Sequence, residues 1–107
     1  VIGRSKYRAI RTTVDGLTFA SKAEAARYSD LKLLERSGYI TGLILQPRFP
    51  LIVEGKKICS YVADFSFKDR EGRHVIEDVK GVQTPVYKLK SKLFHALYPM
   101  FRITEIR

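Results

Sequence analysis

From residue 42 to residue 81 the chain reads GLILQPRFPLIVEGKKICSYVADFSFKDREGRHVIEDVKG, a stretch dominated by β-branched and aromatic runs. The runs are broken at Gln46-Pro47, at Glu54-Gly55-Lys56-Lys57 and at Asp69-Arg70-Glu71-Gly72-Arg73. Breaks of this composition separate strands, so this stretch imposes a sheet. The spacing predicts strands at 43 to 46, 49 to 54, 57 to 68 and 74 to 80. Short loops join at least the last three as antiparallel hairpins.

Helices are expected on either side. Ser21-Lys22-Ala23-Glu24 has the form of a capping box, in which the first and fourth residues exchange hydrogen bonds with exposed backbone amides. The helix is placed at 22 to 37, with Ala23, Ala26, Leu31 and Leu34 as its apolar stripe, Tyr28 and Leu33 beside them, and Gly38 as its stop. Thr84-Pro85 reads as an N-cap followed by proline at the first helical position. There the stripe is Val86, Leu89, Leu93 and Leu97, flanked by Phe94, while Lys88, Lys90 and Lys92 project elsewhere and Pro99 follows the end. The last segment, FRITEIR, suits a final strand. The result is an α/β (α+β) chain in the order α-β-β-β-(β)-α-β, with a mixed sheet of about four or five strands flanked by two helices.

A chain of 107 residues has room for one core. Residues 1–20, with Arg4, Lys6, Arg8 and Arg11 ahead of an Asp15-Gly16 turn, read as a basic arm, and residues 21–107 as a single domain. Twenty Lys and Arg against eleven Asp and Glu give a formal charge of +9, so a polyanion such as nucleic acid is the expected partner. No run approaches the roughly 18 apolar residues of a spanning helix, and no membrane association is expected. Cys59 is the single cysteine, which excludes an internal disulfide. With no signal-peptide pattern at the start, an intracellular, cytoplasmic setting is expected. His74, His95 and Cys59 lack zinc-ligand spacing.

The segment HVIEDVKG carries the chemistry. Alternation puts His74, Ile76, Asp78 and Lys80 on one face and Val75, Glu77 and Val79 on the other. In the preceding run Val62, Asp64, Ser66 and Lys68 lie together, opposed by Tyr61, Ala63, Phe65 and Phe67. A hairpin centred on Glu71 sets Asp64 opposite Asp78. Directly opposed residues have Cβ atoms about 4.5 to 5.5 Å apart, where like charges repel unless a cation lies between them. Oxygen-only ligation suits Mg²⁺, with Mn²⁺ as a substitute, and Lys80 is placed to touch a metal-bound water. Glu24, Tyr28 and Leu31 share a helical face, which directs the Glu24 carboxylate toward the sheet. Its role as a helix cap competes for the same oxygens.

A helix-borne Glu24, Asp64 in VADF, and Asp78-Val79-Lys80, in this order of elements, resemble the PD-(D/E)XK nuclease superfamily. The segments SKAEAARY, LQPRFPL, ADFSF, EDVKG and YKLKSKLF resemble a small phage-encoded family within it whose function is unknown, and the likeness runs from Ser21 to Ile106. The resemblance implies a restriction-endonuclease-like core and a Mg²⁺-dependent DNA endonuclease serving phage DNA processing or recombination. It implies that Asp64 and Asp78 ligate Mg²⁺, joined by the Val79 carbonyl, and that Lys80 orients or activates the attacking water. Glu24 matches the helix carboxylate of several branches. Two departures stand out: Ala63 precedes Asp64 where the family has proline, and Asp78 replaces the more frequent glutamate. A one-residue register shift would substitute Glu77 for Asp78, and Gln46 matches a further polar position. Arg8, Arg11, Lys88, Lys90 and Lys92 are the expected phosphate contacts. A homodimer is the simplest way for so small a domain to cut two strands. No cofactor beyond the metal is expected. The rival reading is a non-catalytic basic nucleic-acid-binding module, which gains nothing from opposing two aspartates beside a phosphate.

Overall fold

A computed structural model describes residues 10–79 and 83–106. Arg8 and Lys80 lie outside the described residues. In chain order the elements are β1 (Thr12–Val14), β2 (Leu17–Phe19), α1 (Lys22–Arg36), β3 (Thr41–Leu45), β4 (Arg48–Val53), β5 (Lys56–Val62), β6 (Phe65–Lys68), β7 (His74–Val79), α2 (Pro85–Leu97) and β8 (Ile103–Ile106). Four strands form a mixed sheet in the order β3-β6-β7-β8, with β8 parallel to β7 and the other pairs antiparallel. Hairpins β1-β2 and β4-β5 form separate two-stranded ladders. The chain is therefore a mixed α+β fold with two helices, and one apolar cluster packs around each helix.

Residues 12–19, expected to belong to a basic arm, fold as a hairpin. Asp15 (φ 53°) and Gly16 (φ 76°) supply the two left-handed residues that a tight hairpin turn needs. Phe19 is buried against the Tyr28 ring with centroids 5.0 Å apart, and the Tyr28 hydroxyl donates to Asp15 Oδ2 at 3.2 Å. The Phe19 ring and this one polar tie hold the hairpin on α1.

The run expected as one strand at 57 to 68 is two strands. Its ladder changes partners at Ala63-Asp64: the Ala63 amide donates to the Pro47 carbonyl at 3.1 Å, and the Asp64 amide donates to the Glu77 carbonyl at 3.1 Å. Upstream, β5 pairs with β4; downstream, β6 pairs with β3 and β7. The switch also splits the aromatic face. Tyr61 and Ala63 join Leu51, Ile76 and Phe94 beneath α2, whereas Phe65 and Phe67 join Ala25, Tyr28 and Leu31 beneath α1. The β6-β7 register (Phe65↔Glu77, Ser66↔Ile76, Phe67↔Val75, Lys68↔His74) is the one centred on Glu71.

Both helices are rotated from the expected stripes. Helix α1 buries Ala25, Tyr28 and Leu31, leaves Ala23 and Ala26 in solvent, and exposes Leu33 at 60%. Alanines on every side of this segment blur the phase. Helix α2 centres on the fully buried Phe94, with Tyr87, Leu93 and Leu97 half-buried, while Val86 and Leu89 face water. Aromatic bulk rather than leucine spacing sets that face.

The helix ends follow the sequence signals. Ser21 Oγ accepts from the Glu24 amide at 3.1 Å. Gly38 (φ 81°) closes a Schellman turn in which the Tyr39 amide donates to the Leu34 carbonyl and the Gly38 amide to the Glu35 carbonyl. Ser21→Ala is expected to lower stability by about 1 kcal/mol, read as a shift in urea midpoint with an unchanged slope. Among the described residues no helix is long and apolar enough to cross a membrane.

Candidate active site

Asp64 occupies the junction where the ladder changes partners. Its amide donates to the Glu77 carbonyl, and its Oδ2 accepts from the Val79 amide at 2.7 Å. These two bonds bracket Asp78, so Asp64 is fastened to β7 on both sides of the residue that sequence symmetry sets opposite it. The Asp64 carbonyl accepts from the Gln46 amide at 2.9 Å. Gln46 turns the chain between β3 and β4 at φ 51°, a left-handed conformation uncommon for a side chain of this size and one that gathers at functional sites.

Glu24, Gln46 and Asp64 line a single cleft of about 180 Å³, closed by Leu45 and by β2 (Leu17–Phe19). The first turn of α1, the turn after β3 and the junction between β5 and β6 thus bring together three residues far apart in sequence. Their donors are all oxygen on the acidic side chains and an amide on the third, a chemistry that suits a hard cation such as Mg²⁺ or Mn²⁺. Among the described residues no group of three or more His, Cys, Asp or Glu side chains is arranged to hold a metal ion.

The two carboxylates of β7 point opposite ways. Glu77, 3% exposed, faces α1 and takes a two-pronged ion pair from Arg27: Nε donates to Oε1 at 2.8 Å and Nη2 to Oε2 at 2.6 Å. The bond to Glu77 raises the Arg27 pKa above its ordinary value. Glu77, the register alternative, is thereby committed to pinning α1 on the sheet. Asp78, 1% exposed, lies on the α2 side. It does not line the cleft. Its Oδ2 accepts from the Tyr61 hydroxyl, and because a carboxylate offers about four lone-pair sites, that bond is compatible with metal ligation.

A polar layer that sequence reasoning missed surrounds Asp78. Glu105 on β8 is its in-register neighbour. The Tyr87 hydroxyl donates to Glu105 Oε2 at 2.8 Å, and Gln83 Nε2 lies 2.7 Å from both Glu105 oxygens. Burial, the bond to Glu105 and the Asp78 charge push the Tyr87 pKa upward. The alternation of FRITEIR signalled a strand, but nothing in it signalled the parallel pairing that sets Glu105 beside Asp78.

Of the expected phosphate contacts, Arg8 lies outside the described residues. Arg11, Lys88 and Lys92 are exposed. Lys90 is half-buried, and its Nζ donates to the Ser60 carbonyl at 3.0 Å. Lys88 and Lys92, four residues apart, share a helical face that Lys90 does not. No curated protein and no solved structure matches the chain. A family model does, over residues 4–107. The chain belongs to the family described as Protein of unknown function (DUF1064).

Proposed function

We propose that this protein is a Mg²⁺-dependent DNA endonuclease of PD-(D/E)XK type, with a restriction-endonuclease-like core and a place in phage DNA processing or recombination. One observation carries the reading: Asp64 is hydrogen-bonded to β7 on both sides of Asp78 while sharing a cleft with Glu24. Nothing about a strand break requires an acidic residue there, and an acidic pair beside phosphate is unfavourable without a cation.

In this reading Asp64 and Glu24, which share the cleft with Gln46, would hold the ion together with Asp78 and the Val79 carbonyl. When bound, Mg²⁺ supplies an acidified water and shields negative charge developing on the scissile phosphate. Lys80 orients the attacking water, and cleavage leaves 5′-phosphate and 3′-hydroxyl ends. Arg8, Arg11, Lys88 and Lys92 hold the backbone by counterion release, and a homodimer supplies one site per strand. A cytoplasmic setting agrees with such a substrate.

One observation favours the rival, a non-catalytic DNA-binding module: Asp78 is 1% exposed beneath Tyr61. The two readings part in a single experiment. Labelled linear, flapped and four-way DNAs are incubated with and without Mg²⁺, beside the Lys80→Ala protein. The nuclease predicts Mg²⁺-dependent product on at least one substrate and none from Lys80→Ala. Retention of the DNAs without product on any of them favours the binding module.

A further inference from the structure

The β4-β5 ribbon is rooted at the cleft. Its base is closed by the bond from the Gln46 amide to the Asp64 carbonyl and by that from the Ala63 amide to the Pro47 carbonyl, and Gln46 and Asp64 both line the cleft. The half next to the cleft is clamped on α2: Leu51 and Tyr61 are buried with Phe94, the Lys90 ammonium donates to the Ser60 carbonyl, and the Tyr98 hydroxyl donates to the Pro50 carbonyl. Past Leu51 the packing stops. Residues 52–58 are exposed on both faces of the ribbon, and three of them are large and apolar: Ile52 at 45%, Val53 at 38% and Ile58 at 59%. Lys57 pairs with Ile52 and Lys56 with Val53 across a two-residue turn, and the register shift after Leu51 leaves Ile58 as the extra residue of a bulge. At ~3.3 Å per residue the turn lies roughly 25 Å along the ribbon from the cleft, about seven steps of duplex at ~3.4 Å each.

We infer that the tip of this ribbon docks on duplex DNA beside the cleft, with Lys56 and Lys57 on phosphates and Ile52 and Ile58 in the groove between them. The charge fits that occupant, since Arg48, Lys56 and Lys57 stand against Glu54 as the ribbon's one carboxylate. The shape fits it too, because a two-stranded ribbon is an element that the major groove admits, where apolar side chains meet thymine methyls. A second copy of the chain is a poorer occupant: a two-fold contact sets a patch against itself, lysine against lysine, and lysines on an exposed ribbon discourage such pairing. The inference rests on the DNA-acting reading above and deepens it, because that reading places its phosphate contacts on α2 and ahead of β1 and none on this ribbon.

The test is fluorescence anisotropy of a labelled duplex, without Mg²⁺ and over a series of salt concentrations. The whole protein is compared with Lys56→Ala/Lys57→Ala, with Ile58→Ser and with the control Arg36→Ala/Lys68→Ala, each checked by a melting curve. The control removes the same charge from exposed side chains at the ends of α1 and β6 that lie away from the cleft. The expected result is a slope of log affinity against log salt smaller by about 2 in the Lys56→Ala/Lys57→Ala protein and unchanged in the control. Ile58→Ser is expected to lower affinity about 10-fold without changing the slope. A Lys56→Ala/Lys57→Ala slope equal to the control's overturns the inference, and so does an Ile58→Ser protein that binds DNA like wild type. Phosphatidylserine vesicles are the second probe: variants that lose the vesicles and keep the duplex assign the tip to a lipid surface and overturn it. A wild type that binds no duplex removes the DNA reading itself, and the inference falls with it. Because binding is read without Mg²⁺, none of these outcomes depends on whether the protein cleaves.

Discussion

Asp64→Asn is expected to reduce Mg²⁺-dependent DNA cleavage by about 10³-fold while leaving the fold and DNA binding in place. The substitution is chosen for what it keeps. An asparagine retains a carbonyl oxygen to accept from the Val79 amide, the bond that fastens Asp64 to β7, so the junction between β5 and β6 has no reason to open. What it loses is the charge on a residue lining the Glu24 cleft. A metal contributes several kcal/mol of charge stabilisation in the transition state, and each ~1.4 kcal/mol is tenfold in rate. Losing about three such increments gives the expected figure. DNA affinity measured by anisotropy without Mg²⁺ should hold or rise slightly, because one negative charge near phosphate is gone while the lysines and arginines remain. Single-turnover cleavage within tenfold of wild type would mean that Asp64 serves the strand junction and not the reaction.

Arg27→Ala is expected to be the most destabilising single change on the surface of α1. Its guanidinium holds both oxygens of Glu77, whose side chain is 4% exposed. Removing one member of such a pair leaves a charge buried without its counterion, a loss of about 3 to 5 kcal/mol in a domain whose whole stability is of order 5 to 15 kcal/mol. Melting should fall by roughly 4 to 8 °C per kcal/mol for a domain near this size, a drop easily seen by circular dichroism. The mechanism makes a second demand. Replacing both partners, Arg27→Leu with Glu77→Leu, should recover most of the loss, because the pair's net contribution is small once its desolvation is counted. A double variant as unstable as Arg27→Ala would mean that α1 is held here by packing rather than by the ion pair.

The arrangement around β7 was legible in the sequence to an uneven degree. The register of β6 on β7 was readable because a hairpin fixes register by symmetry, and the observed pairs share the Glu71 centre. The helix starts were readable because Ser21 and Thr84 are local signals that act on amides three residues away. The division at Ala63-Asp64 was not, because strand propensity is blind to which partner a strand takes, and Tyr61 and Phe65 look alike although they enter different cores. The hairpin at 12–19 was hidden by its arginine-rich approach and shortness. Glu105 was hidden more deeply, since a parallel pair is set by how α2 packs across the sheet and by nothing local in either strand. The Glu77 role needed Arg27, a helix residue that no strand pattern would nominate.

The central claim is that Glu24, Asp64 and Asp78 surround one divalent ion. Substituting Fe²⁺ for Mg²⁺ and adding ascorbate with peroxide generates radicals at the bound metal, and the resulting backbone cuts map its position on the chain. The account predicts cuts clustered near residues 24, 64 and 78, all suppressed by excess Mg²⁺. Cuts confined to another part of the chain, or cutting that Mg²⁺ does not suppress, would contradict it.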